Sequence, residues 1–199
     1  MKPFIKKEVI LKHESLFVEE IQELIDKVDI FGYYFASLDI RQDSSIHNMV
    51  FENIIAQAFD KKTLDIYTKQ SDEEKIKFLF SKEFSGLKTE FNHPKVLNTI
   101  GSMTVMKSIQ KSNGEKGCHR YIISHNESPL NILEVFKMFS LIGWKNPTVD
   151  IIPLFETIDD LKNSISVMDK VYNNSSYRKH LELRNNEQTI MLGFSDGTK

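Results

Sequence analysis

Four short apolar runs, each closed by a polar or charged residue, interrupt a chain otherwise patterned at helical spacing. They are Tyr33–Arg41, Tyr121–His125, Val149–Glu156 and Thr189–Asp196. Runs this short and this apolar predict strands buried in a parallel sheet. Between them the spacing turns helical. Phe17, Val18, Ile21, Leu24, Ile25 and Val28 recur every three or four positions, predicting a helix over about 14–30. Ser44-Ser45 can cap a helix running through Phe59, and Ser71 with Glu74 forms a capping box for a helix to about Phe84. Residues 86–92 read as a loop, and His93 to about Ser112 as a helix closed by Asn113-Gly114. Ser128-Pro129 opens the helix Leu130–Ile142, Thr157 caps Ile158–Tyr172, and Ser175-Ser176 opens a short helix to about Leu183. Asn185-Asn186 then turns the chain into the fourth strand.

Strands alternating with helices predict an α/β fold with about four parallel strands. Two or three extra helices lie between the first strand and the second. Four such strands are half of a (β/α)8-type barrel. No repeat, low-complexity tract or linker divides the chain, so residues 1–199 form one unit with no second domain. In such folds ligands sit at the carboxyl ends of the strands. Here those ends carry Arg41, Glu156 and Asp196, and two acids with an arginine on one rim point to a divalent metal and an anionic substrate. Glu156 and Asp196 are hard oxygen donors suited to Mg²⁺ or Mn²⁺; the alternative is that each caps the helix or turn that follows. Arg41 offers a fork for phosphate or carboxylate, or pairs with Asp39 or Asp43. Lys199 could hold an anion beside the metal.

Other chemistries find little support. Phe136, Met138, Phe139 and Trp144 read as helix core. The six histidines show no metal-ligand spacing and read as surface or hydrogen-bonded polar groups, His125 among them. Cys118, the single cysteine, has no activating neighbour in sequence. Neither Gly-x-Gly-x-x-Gly nor the Walker sequence occurs. A net charge of −2 argues against nucleic acid as a partner. No run approaches the roughly 18 apolar residues of a membrane span, and the first residues lack a signal-peptide core. With one cysteine the expected compartment is the reducing cytoplasm.

The strand tips also resemble a known family. Phe31-Gly32 followed by Leu38-Asp39-Ile40-Arg41-Gln42-Asp43-Ser44-Ser45-x-His47 is similar to a segment of phosphoenolpyruvate carboxylases. So are Ser71-Asp72-Glu73-Glu74-Lys75 with Phe78-Leu79, the strand Arg120–Ser124, the stretch Pro153–Leu161 followed by Tyr177-Arg178, and Met191–Lys199. Five segments in order make the resemblance specific. It implies an α/β barrel with many added helices, usually a homotetramer. The implied metal ligands are Glu156 and Asp196, with Arg41 on the substrate phosphate and Lys199 near the bicarbonate and enolate. The implied reaction, Mg²⁺-dependent, joins phosphoenolpyruvate and bicarbonate through carboxyphosphate and an enolate to give oxaloacetate and phosphate.

Departures qualify the likeness. Phe194 stands for the usual tyrosine and Gly197 for the usual serine. His125-Asn126-Glu127 replaces a common Met-Thr, a change expected to leave the metal pair untouched. The family's threonine-alanine-histidine-proline segment, with its general base, is not in these 199 residues. Nor is its histidine-glycine-arginine-glycine-glycine loop, with a catalytic arginine. The expectation is a central fragment of a longer enzyme, inactive by itself. The alternative is a short non-catalytic module that binds an anion or a partner through the same rim.

Overall fold

The computed structural model describes residues 2–32, 34–84, 91 and 93–194. Its centre is a four-stranded parallel sheet of β1 (Asp39–Asp43), β2 (Arg120–Ser124), β3 (Asp150–Phe155) and β4 (Met191–Leu192), ordered in space as in sequence. A sequential order has no reversal point, unlike a doubly wound sheet, and is consistent with part of a barrel. Among the described residues nine helices accompany the strands: α1 (Lys2–Lys12), α2 (Val18–Phe31), α3 (Ser44–Ala58), α4 (Lys61–Tyr67), α5 (Asp72–Ser81), α6 (Pro94–Asn113), α7 (Pro129–Leu141), α8 (Ile158–Tyr172) and α9 (Ser175–Leu183). The α/β class and the four parallel strands are as the pattern predicts.

The differences have local causes. Phe35 adopts a left-handed φ of 59°, so the apolar run before Asp39 is broken and β1 starts only where Asp39 pairs with Arg120. Glu14, Ser15 and Phe17 likewise have positive φ, which delays α2 to Val18. The helix α4 was not expected; Asp60 caps it by accepting from the Thr63 N–H at 2.7 Å. Asp43 and Asn174, not the serines after them, cap α3 and α9. Strand β4 is short because Thr189 gives its N–H and hydroxyl to the Asp150 carboxylate and not to the ladder. The capping box of Ser71 with Glu74 forms as read, and Thr157 caps α8 as expected, with Asp160 completing a second box that the sequence reading did not name. The loop expected at 86–92 lies almost wholly outside the described residues.

Pleating assigns the two faces. Tyr121, Ile123 and Ile151 point to the helices and join Val50, Phe51 and Ile54 of α3, Met103 and Met106 of α6, and Leu133 and Phe139 of α7 in the main core. Each fully buried side chain of this kind stabilises by about 1.5–3 kcal/mol. The alternate residues Ile122, Ile152 and Leu154, with Met191 against them, line the opposite face. That face leads directly to the rim carrying the candidate chemistry.

One core group sets a pH dependence. Glu134 on α7 is buried; its Oε1 accepts from the Tyr67 hydroxyl at 2.8 Å and its Oε2 has no hydrogen-bond partner among the described residues. Burial pushes its carboxyl up to about 8, against the smaller downward pull of the Tyr67 bond. Between its unfolded value near 4.5 and about 8 the folded state holds a proton that the unfolded state has lost. Stability therefore declines as pH rises through that window. Glu134→Gln should flatten the decline, giving a higher Tm than the parent at pH 8.5 and little change at pH 5, measured by thermal melts across pH.

Candidate active site at the carboxyl rim

Arg41 and Asp43 on β1 and Ser124 on β2 share the face of Ile122 and Leu154, because side chains alternate along a strand. Glu156 follows Leu154 by two and reaches the same side just past β3. The geometry bears this out. Arg41 Nε donates to Ser124 Oγ at 2.7 Å, and its Nη2 to Glu156 Oε1 at 2.9 Å. Arg41 therefore pairs with neither Asp39 nor Asp43: Asp39 holds Arg120 at 2.8 Å and Asp43 holds His125. Arg41 is 55% exposed at its side chain while Glu156 is only 14% exposed. The guanidinium is thus the reachable partner and the carboxylate the sheltered one.

Glu156 does not cap α8. Thr157 accepts from the Asp160 N–H, and Asp160 in turn accepts from the backbone N–H of Glu156 and Thr157. The Glu156 carboxylate is left facing the rim. Beside it the chain needs a residue without a side chain. Gly193 donates its N–H to Phe155 O at 2.8 Å, and a Cβ there would lie 2.8 Å from Glu156 Cα. Glycine lets the chain after β4 pass directly against the Glu156 backbone. Asp196 and Lys199, the other two expected site residues, lie outside the described residues.

The pattern of the sequence missed His125. Following Ser124, it should point to the helix face. Instead its backbone is left-handed at φ 50°, which ends the alternation, and Ser44 Oγ pins its carbonyl at 2.6 Å. Its ring turns onto the rim. Nδ1 lies 2.6 Å from Asp43 Oδ2, and Nε2 lies 3.4 Å from Glu156 Oε2. The bond to Asp43, then the charge of Glu156, hold the imidazole above its ordinary value. Burial pushes the Asp43 carboxyl up, but bonds from Ser45 and His125 outweigh it and hold the group at about 2. The replacement at 125 therefore does reach the expected metal ligand, a correction to the sequence reading. The signal for it was Asp43, two residues past Arg41 and on the same face.

The buried histidines His47 and His180 are packed polar groups. His47 Nε2 meets Tyr121 Oη at 2.9 Å, and burial lowers its pKa to about 3. His180 packs against Phe136 and Tyr177. Cys118 is buried, and burial pushes its thiol up, opposite to what a nucleophile needs.

A rim with an exposed guanidinium, two carboxylates, an imidazole and a hydroxyl can bind an anion and a cation side by side. The profile of phosphoenolpyruvate carboxylase matches residues 5–199. The chain belongs to the phosphoenolpyruvate carboxylase family. It is 35% identical to the phosphoenolpyruvate carboxylase of Nitrosomonas europaea, a match covering 90% of this chain and 20% of that protein. With the enzyme of Gloeobacter violaceus the identity is 30%, over 95% of this chain and 21% of that protein. The chain thus spans about a fifth of the length of these phosphoenolpyruvate carboxylases.

The donor set suits a divalent cation in part. Glu156 is a sheltered carboxylate with no structural duty in a helix cap, which is what a ligand requires. Among the described residues no group of three or more histidine, cysteine, aspartate or glutamate side chains could hold an ion by itself. Also among them, no helix is long and apolar enough to cross a membrane.

Proposed function

We propose that this rim belongs to a phosphoenolpyruvate carboxylase, a carboxy-lyase working in the cytoplasm as a homo-oligomer. The observation that carries the reading is the meeting of Arg41 and Glu156 at the carboxyl ends of β1 and β3, in a chain of this family. Arg41 binds the phosphate of phosphoenolpyruvate. Its ion pair with Glu156 is an exposed contact of about 0–1 kcal/mol. Charge-assisted bonds to a phosphate contribute about 1.5–3 kcal/mol each, so the substrate wins the fork. Ser124, bonded to Nε, keeps the guanidinium plane aimed at the rim.

Glu156, with Asp196, would hold the Mg²⁺ or Mn²⁺. When bound, the cation neutralises charge that develops on the phosphoryl and enolate oxygens. Lys199 would lie near the bicarbonate and the enolate. A bicarbonate oxygen attacks phosphorus, the bond from phosphorus to the enol oxygen breaks, and carboxyphosphate and the enolate form. The enolate carbon then takes CO₂ released from carboxyphosphate, giving oxaloacetate and phosphate. Proton transfer and part of the charge stabilisation come from the histidine and arginine segments that these 199 residues do not contain.

The test is a coupled malate dehydrogenase assay with Mg²⁺ and bicarbonate. A full-length protein carrying this chain should form oxaloacetate, while the 199 residues alone should show background. Failure of the full-length protein to turn over would sink the assignment, and turnover by the short chain would sink the need for the other segments.

A further inference from the structure

The histidine at 125 gives this rim a nitrogen donor. Asp43 Oδ2 takes the Nδ1 side of the ring at 2.6 Å, which leaves Nε2 as the outward nitrogen. That nitrogen has Glu156 Oε2 in front of it at 3.4 Å, beyond the roughly 2.7–3.2 Å of a good N–H···O bond. Two donors on one ion at about 2.1 Å each, in adjacent positions, stand ~3 Å apart. The separation of Nε2 and Oε2 is close to that. A carboxylate behind an imidazole that faces a cation is a recurrent arrangement, because the carboxylate fixes the tautomer and raises the basicity of the free nitrogen. The left-handed backbone at His125 and the Ser44 bond to its carbonyl hold the ring in place from the other side.

We propose that His125 Nε2 is a direct ligand, together with Glu156, of the divalent cation at this rim, and that Asp43 is its positioning residue. The inference rests on the reading of Glu156 as a metal ligand and adds to it a consequence for metal choice. Imidazole favours the later first-row ions, whereas carboxylate and water suit Mg²⁺. The rim should therefore bind Co²⁺ in preference to Mg²⁺, by more than an all-oxygen site would.

The experiment uses the full-length protein carrying this chain, freed of metal and loaded with Mn²⁺. Electron spin-echo envelope modulation of the bound Mn²⁺ should show coupling to a coordinated imidazole nitrogen, and His125→Met should abolish that coupling. Titrations should show Co²⁺ affinity reduced about 10–100-fold in His125→Met and about 10-fold in Asp43→Asn, with Mg²⁺ affinity changed less than about threefold. If circular dichroism shows His125→Met to be unfolded, His125→Gln takes its place. Nitrogen coupling that is absent from the parent, or that survives in the variant, overturns the proposal. Equal loss of Mg²⁺ and Co²⁺ in a folded variant does so too, since it marks a merely structural role. Glu156→Gln separates the two levels: it should abolish binding of every one of these ions. If it does not, the Glu156 assignment itself falls, whatever the nitrogen signal shows.

Discussion

Glu156→Gln, made in the full-length protein, is expected to lower kcat/KM about 10²–10³-fold and to remove most of the Mg²⁺ dependence. The substitution keeps the shape of the side chain and deletes the charge. A cation that neutralises developing phosphoryl charge contributes several kcal/mol at the transition state, and each 1.36 kcal/mol is a factor of ten. Folding should hardly notice, because Thr157 and Asp160 cap α8 without help from the Glu156 side chain. Its pair with the exposed Arg41 contributes about 1 kcal/mol or less. Steady-state kinetics against Mg²⁺, with a thermal melt alongside, separates the two effects. A variant with parental kcat/KM and Mg²⁺ response would remove Glu156 from the site. Asp196→Asn should resemble Glu156→Gln in its kinetics if the two carboxylates share one ion.

Arg41→Lys is expected to raise KM for phosphoenolpyruvate about 10–100-fold while retaining the positive charge. The loss is geometric. In the parent one planar group places Nε on Ser124 and Nη2 on Glu156, 2.7 and 2.9 Å away. A lysine ammonium has no fork and cannot be aimed by Ser124 while presenting two parallel donors to a phosphate. Losing one or two charge-assisted bonds at about 1.5–3 kcal/mol each sets the scale. If lysine supports parental KM, only the charge matters and the bidentate role is wrong.

Both outcomes depend on a rim that was only partly legible in the chain. Arg41 and Glu156 stood out because each ends an apolar run, and pleating puts Arg41, Asp43 and Ser124 on one face once β1 and β2 pair. Which charges would meet was not legible. Arg41 has Asp39 and Asp43 two positions away, yet pairs with Glu156, 115 residues distant. Only the parallel register of β1 with β2, and of β2 with β3, brings those two strand ends together.

The sequence by itself determined the α/β class, the parallel strands, the helices from α5 through α9 within a few residues, the capping box of Ser71 with Glu74 and the Thr157 cap. All of these rest on short-range chemistry: apolar periodicity, and hydroxyls or carboxylates that bond backbone two or three residues away. The tertiary structure alone decided three things. One is the true start of β1, which waits for a partner strand at Arg120. Another is the use of Gly193, whose missing side chain admits the segment after β4 to the Glu156 backbone. The third is His125, where one left-handed residue reverses the direction that alternation assigns and sets an imidazole between two carboxylates. A backbone dihedral and a contact across 82 residues leave no mark in local pattern, because the energy that fixes them comes from other strands.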